Sequence, residues 1–534
     1  MNDQSGELSN GFGNLGLYVV ALFLVFGVLA RIEPEFIEFW KGHLMAIVAA
    51  SSGFLALGLA WLSFLLWNKH CDRAYEKAIT TKDETSVYLG TNPTGEEIHL
   101  KRRFRTMHTQ VIGTTSAGKT ESIILPWAVR DMETGAGLLM IDGKSDRSFL
   151  DKLYAYAVKT GREKDFKLFS FSEISKSTPF NPLLSGTAPE IAERVFSSFT
   201  FENEYYRNVQ YKIFQLLIGV ISKAGKKPNF RLIHQLLTNP DQLKILADET
   251  QDNGLQDQVI AFLKESPRDR AEKLSGLEAC VSHFANGDLA KLFDAETGGI
   301  QFDEALRNNH ICYFQLPSMY FPFLAEATGK LVLQTFQNAV AKRHLAVNKN
   351  VGFFSCYLDD FQDYIYPGFS ALLNKARSAN IGVVFSHQAL GDLDKVSPAF
   401  RNVVLTNTNV KCVMRNNDPD TADYFSNSFG TSTTEKVTER QTTSLFGNSK
   451  TGESSVRAVE AYKVHPNEIK SLGVGQGFVT IPHMKGVKTL KVAFQRRPDL
   501  PAREIPNWIA PTQNTEQIVI NKVSQGEKQT RDLI

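Results

Sequence analysis

Apolar positions along this chain fall into three regimes, and each predicts a different kind of element. The first is continuous. Residues 15–30 and residues 43–67 carry no charged side chain, and runs of that length suit membrane spans, the first at the short end with Asn14 and Arg31 at its interfaces. The segment between them, residues 31–42, is acidic, whereas Lys69, Arg73 and Lys77 follow the second run. Loop charge of that sign places both ends in the cytoplasm and the short loop outside, with Trp40, Trp61 and Trp67 near the boundaries. No basic segment leads the first run, as a cleaved signal peptide would require. Residues 1–67 are therefore expected to form a two-helix transmembrane anchor. A connector over residues 68–107 follows, with a turn at Gly90-Thr-Asn-Pro-Thr-Gly95.

The second regime alternates short apolar runs with helical periodicity. Residues 108–112, 136–142 and 166–171 read as strands, and residues 147–159 as the helix between the last two. That alternation predicts a parallel sheet covered by helices over residues 108–188. The third regime, residues 189–286, has helical periodicity and no strand-like run, as in Val209-Gln-Tyr-Lys-Ile-Phe-Gln-Leu-Leu-Ile-Gly-Val-Ile221. It reads as an all-helical domain inserted in the α/β body. The body resumes over residues 287–496, with strands expected at 310–316, 351–358, 381–388 and 403–413, and a closing pair at 477–481 and 489–494. Residues 431–456 are rich in Ser and Thr and read as a hairpin or loop. The polar tail, residues 497–534, is expected to pack poorly.

Composition changes this picture little. A 534-residue chain with a formal charge of +2 is no basic nucleic-acid coat, so contact with nucleic acid must rest on local patches or on a ring of subunits. Cys71, Cys280, Cys312, Cys356 and Cys412 are scattered without ligand spacing, which excludes a zinc site and suits reduced thiols. The cluster Lys101-Arg-Arg-Phe-Arg105 reads as a solvated turn ahead of a strand, or as a contact for lipid headgroups or nucleic acid.

The chemistry lies between the strands. Gly113-Thr114-Thr115-Ser116-Ala117-Gly118-Lys119-Thr120 fits the P-loop pattern without a mismatch, between a short strand and a helix opened by Glu121. The glycines let successive N–H groups face phosphate oxygens. Lys119 reaches the β- and γ-phosphates, and the Thr120 hydroxyl sits on Mg²⁺. Residues 113–121 are thus the expected ATP-binding set. Asp359 ends a buried strand and would orient the oxygens around Mg²⁺, so Thr120 and Asp359 form the expected metal pair. Asp360 stands where related motor ATPases place a glutamate that polarises water. Gln388 stands at the end of the 381–388 strand and would hydrogen-bond the γ-phosphate or that water. Asp142 and Lys144 lie at another strand's carboxyl end, where ligands gather. Arg377 is a candidate arginine finger for a neighbour's site. The expected catalytic set is Lys119, Asp359, Asp360, Gln388 and Arg377.

These residues resemble the type IV coupling proteins. The order of parts matches over about 500 residues, as do local motifs. Asp142-Gly-Lys-Ser-Asp is similar to the family's Asp-Pro-Lys-Gly-Glu, with Gly143 for proline and Ser145 for glycine. Phe180-Asn-Pro-Leu183 is similar to its Asn-Pro-Leu marker, and Leu358-Asp-Asp-Phe361 to Leu-Asp-Glu-Phe. Residues 418–430 resemble a further block. The resemblance implies a RecA-like P-loop core in a homo-hexameric ATPase of a bacterial inner membrane. It further implies partners in a type IV secretion or conjugation channel, and cargo of relaxase-bound single-stranded DNA or effector proteins. Two other readings compete: a nucleotide-gated receptor platform with little hydrolysis, and a septal-type double-stranded DNA translocase.

Overall fold

The computed structural model describes residues 27, 43, 55–71, 81–201, 203–346, 351–444, 447–483 and 486–508. The chain divides into two compact units, residues 1–78 and 79–534. In the first, residues 55–71 form a helix whose Leu55, Leu57, Leu59, Trp61 and Phe64 are exposed. The first expected span lies outside the described residues apart from Gly27, as does the start of the second apart from His43. Among the described residues no helix is long and apolar enough to cross a membrane.

The described residues of the second unit form thirteen strands: β1 (Val87–Thr91), β2 (Glu97–Leu100), β3 (Thr109–Ile112), β4 (Gly137–Asp142), β5 (Phe166–Ser170), β6 (Ile311–Gln315), β7 (Phe354–Asp359), β8 (Ile381–His387), β9 (Val410–Met414), β10 (Thr431–Ser444), β11 (Gly447–Tyr462), β12 (Gln476–His483) and β13 (Gly486–Phe494). Eleven of them form one sheet in the order β2-β1-β13-β12-β9-β3-β8-β7-β4-β6-β5. From β9 to β5 every neighbour is parallel. Every residue of β3, β4, β6, β7 and β8 is buried, as helices on both faces require of a parallel sheet. Strands β12, β13, β1 and β2 extend the sheet antiparallel. The polar 431–456 stretch belongs to a separate antiparallel ribbon, β10 with β11.

Between β5 and the short helix Phe302–Asn308 that precedes β6, the described residues form six α-helices: Ala188–Phe196, Glu204–Lys223, Phe230–Thr238, Pro240–Glu249, Asn253–Leu263 and Pro267–Ala285. Their starts are written in the sequence. Asn203, Asn229, Asn239, Asp252 and Ser266 each accept a bond from a first-turn N–H, which satisfies donors the helix itself cannot. The helices share a core with the sheet. Phe169 of β5 meets Phe293 at 5.5 Å, Phe293 meets Phe284 at 5.0 Å, and Phe284 stacks on Phe230 at 4.6 Å. Aromatic contacts of this kind stabilise beyond the area they bury.

Four expectations need correction. The connector is partly sheet: residues 87–100 form the hairpin β1–β2, which carries the sheet past the β12–β13 pair expected to close it. Gly90 makes this possible. Its φ is +143°, and an added Cβ would lie 1.9 Å from the Ala493 carbonyl oxygen on β13. The basic cluster is not a solvated turn, because Arg105 is fully buried. The expected strand at 403–413 is a helix, Pro398–Asn407, capped by Ser397, followed by the shorter β9. The start of the tail packs on the body. Pro498 accepts from the Tyr156 hydroxyl at 2.6 Å, Ile505 is buried, and the Trp508 N–H donates to Ser175. Residues 509–534 lie outside the described residues.

Candidate nucleotide site

β3 ends in the middle of the sheet, and the P-loop turns back over its carboxyl end. The turn is held from both sides. The Gly113 N–H donates to His387 O on β8, the Thr114 N–H to Arg415 O after β9, and the Gly475 N–H to Ala117 O. Ser116 and Gly118 have φ of 63° and 98°, the left-handed geometry that curls the loop. A five-residue π-helical turn, Thr120–Ile124, leads into the helix Leu125–Glu133. Such widened turns are common at functional sites.

Lys119 is buried, and its Nζ donates to Gly113 O at 2.6 Å and Thr114 O at 3.3 Å. Burial lowers its pKa, against the opposing charges of Asp360 and Asp359. The Thr120 hydroxyl donates to Asp359 Oδ2 at 2.6 Å. The other oxygen of Asp359 accepts from Ser386 on β8. Burial, then the neighbouring Asp360, raises the Asp359 carboxyl above the ordinary range. A hydroxyl and a carboxylate in direct contact are hard oxygen donors that suit Mg²⁺. That ion takes one or two protein oxygens and fills its shell with phosphate and water. Among the described residues no group of three or more His, Cys, Asp or Glu could cage a metal.

Asp360 is buried beside the pair, with φ 48° and ψ 49°. That left-handed geometry is unfavourable for a non-glycine residue, and such strain gathers at functional sites. Its N–H donates to Ser386 Oγ at 3.2 Å, and its Oδ2 pairs with Lys144 Nζ at 2.6 Å. Lys144 comes from the turn after β4, where Asp142 opposes Asp359 in register. Asp142 has a different task. It accepts from the N–H groups of Lys144, Ser145 and Asp146 and from the Tyr313 hydroxyl, so it shapes the turn that presents Lys144. Burial and then the Asp359 charge push its pKa up to about 6.

Gln388 lies at this edge too: the Thr115 hydroxyl donates to its Oε1 at 3.4 Å, and Asn416 donates to its carbonyl at 2.8 Å. Neutral His387 faces away, held between Gln110 and Ala389 O, and burial lowers its pKa to about 4. Glu121 points sideways to Lys152, which also pairs with Asp499. Arg377 is not brought to the site. It is exposed just before β8, seven strand residues from Gln388, and so belongs to the opposite edge of the sheet.

A second group supports the site without touching it. Arg105 makes a bidentate pair with Asp131 at 2.6 and 2.7 Å and donates to Tyr357 at 2.7 Å and Ser355 at 3.0 Å. Asp131 is on the helix after the P-loop, whereas Tyr357 is two residues before Asp359. The network therefore ties the phosphate-binding helix to the strand carrying the metal carboxylate. Reading residue types in sequence missed it. The only trace is an arginine next to an apolar strand.

Comparison with known proteins places this geometry. Residues 354–473 match the model described as the TraM recognition site of TraD and TraG. The type 4 coupling protein DotL of Legionella pneumophila is 23% identical over 411 residues, 65% of this chain and 52% of DotL, so the chain spans about half the length of that curated relative. The bacterial conjugative coupling protein TrwB (TrwBdeltaN70) superposes with a TM-score of 0.59 at 14% identity, covering 79% of this chain and 91% of TrwB. TrwB solved with ADP and Mg²⁺ gives 0.56 at 14% identity, over 80% and 93%. The fold is that of TrwB, and the relatives are coupling proteins, the family the motifs resemble.

Proposed function

We propose that this chain is a type IV coupling protein: a membrane-anchored ATPase that recruits cargo and drives it into a secretion or conjugation channel. One observation carries the reading, the 2.6 Å contact of Thr120 with Asp359 beneath the P-loop. DotL and TrwB are coupling proteins, and TrwB has been solved with ADP and Mg²⁺. In this reading ATP lies along residues 113–121. The Thr120 hydroxyl and the Asp359 carboxylate would hold Mg²⁺, which would neutralise charge on the phosphate oxygens. Lys119 exchanges its loop carbonyls for β- and γ-oxygens. Asp359 orients the oxygens around the ion, and Gln388 orients the attacking water. That water's oxygen forms the new bond to the γ-phosphorus as the bond to the bridging oxygen breaks, and Asp360 takes its proton. A ring of copies, two spans in a bacterial inner membrane, and Arg377 reaching a neighbour's nucleotide complete the proposal. Residues 189–286 form the surface for cargo.

The ion pair between Lys144 and Asp360 favours one alternative, a receptor platform that binds ATP and hydrolyses little of it. Phosphate release by the purified chain decides between them. Turnover is expected, with a loss of about 100-fold or more in Lys119→Ala, since the reaction depends on electrostatic positioning. Tight binding of a fluorescent ATP analogue without phosphate release would replace the motor by the platform.

A further inference from the structure

The loop after β6 presents the most exposed large apolar side chains among the described residues. Met319 is 95% and Tyr320 83% exposed, and Phe321 beside them is 41% exposed. The display is built rather than loose. The N–H groups of Tyr320 and Phe321 both donate to Pro317 O, at 3.1 and 3.0 Å, and Phe321 packs edge-on to Phe171 at 5.9 Å. Pro322 then opens the helix Pro322–Leu345. Holding a thioether and a phenol ring in water forgoes the gain of burying them, so the arrangement suits a surface that another molecule covers.

Its position is tied to the nucleotide edge. The Ser318 hydroxyl lies 3.0 Å from Gly143 O and 2.9 Å from Asp363 Oδ2, able to donate to either. Gly143 adjoins Lys144, the partner of Asp360, and Asp363 ends the short helix that Asp360 opens. Strands β7, β4 and β6 are adjacent, so a shift of Asp360 or of the β4 turn acts on the root of the loop.

We infer that residues 319–321 grip an extended, apolar-rich polypeptide during transport, an inference that rests on the ATPase reading above. Charge selects polypeptide over nucleic acid. A phosphate backbone needs cations, but residues 317–322 carry none. The carboxylate of Asp363 stands at the root of the loop, and the two cations that act on it, Lys395 and Lys144, are paired with Asp392 and Asp360. Methionine and aromatic side chains adapt to many apolar sequences, as a contact for varied cargo requires.

The test uses the full chain with p-benzoylphenylalanine incorporated at position 320. It is irradiated under Mg²⁺ and ATP with fluorescein-labelled casein, an unfolded polypeptide, or with fluorescein-labelled oligo(dT). The casein adduct is expected to exceed the oligo(dT) adduct about tenfold, and the double variant Met319→Ala/Tyr320→Ala to weaken casein binding about tenfold. An oligo(dT) adduct of equal strength, an adduct mainly to a second copy of the chain, or unchanged casein affinity overturns the inference. Phosphate release measured on the same sample reports on the ATPase reading separately.

Discussion

Strand β7 carries an ion-pair network on its flank and another at its tip, and they are built on opposite principles. On the flank, Arg105 and Asp131 are 0% and 1% exposed, bidentate, and bonded further to Tyr357 and Ser355. Burial disfavours the guanidinium charge, yet Asp131 and Tyr357 more than offset this and hold its pKa above the ordinary value. At the tip, Asp360 is 2% exposed but its partner Lys144 is 49% exposed, a single contact reaching in from the β4 turn. A pair sealed from water on both sides cannot exchange partners without unfolding its surroundings. A pair with one flexible, half-wet member can. The first fixes where Asp359 stands, and the second leaves Asp360 free to change partner.

The comparison is broken most severely by Arg105→Ala. It leaves Asp131 buried without its cation, which costs about 3–5 kcal/mol in such networks. The denaturant midpoint of the purified chain should fall accordingly. A loss below about 1 kcal/mol, the range of exposed pairs, would mean that the flank network does not hold β7.

The next effect is one of pH, at Asp142 on the neighbouring strand. Its folded pKa of about 6 lies above the ordinary aspartate value of 3.8. Between those values the folded state binds more protons than the unfolded, so stability falls as pH rises, with the full cost present above about 6. That cost is on the order of 2–3 kcal/mol. The difference in unfolding free energy between wild type and Asp142→Asn should therefore move against wild type as pH rises from about 4 to 6.5. A difference that stays flat across this range would show that the three N–H groups and the Tyr313 hydroxyl fully compensate the buried charge.

Legibility in the sequence follows the same division. The P-loop, Asp359, Asp360 and Gln388 could be read because their roles fix both residue type and spacing, and the structure brings them to one edge. The helical region could be read from its periodicity, and its N-caps were in plain view. The β1–β2 hairpin was missed because its strands are short and β1 is defined by pairing with β13, about 400 residues away in sequence. The basic cluster misleads at Arg105 because burial there depends on Asp131 and Tyr357, 26 and 252 residues further along the chain. Residues 403–405 misled because Val and Leu suit a strand, and only the Ser397-Pro398 start marks a helix. Lys144 was placed at the site, but its partner was not foreseen.

That partner gives the smallest effect and the most informative one. In Lys144→Ala, the flank network is untouched, Lys144 was half in water, and Gln362 still donates to Asp360 at 3.3 Å. Stability should change by no more than about 1–2 kcal/mol. Activity should respond instead. An Asp360 oxygen engaged by an ammonium is not available to take a proton from water, so removing Lys144 should raise phosphate release about three- to tenfold, a fraction of the roughly 100- to 10,000-fold that a general base contributes. Asp360→Asn in the same background should abolish that gain, because an amide cannot accept the proton. A fall in turnover on losing Lys144 would reverse the assignment. The ammonium would then act on the reacting phosphate, and its contact with Asp360 would be the resting place of a catalytic cation rather than a brake on a base.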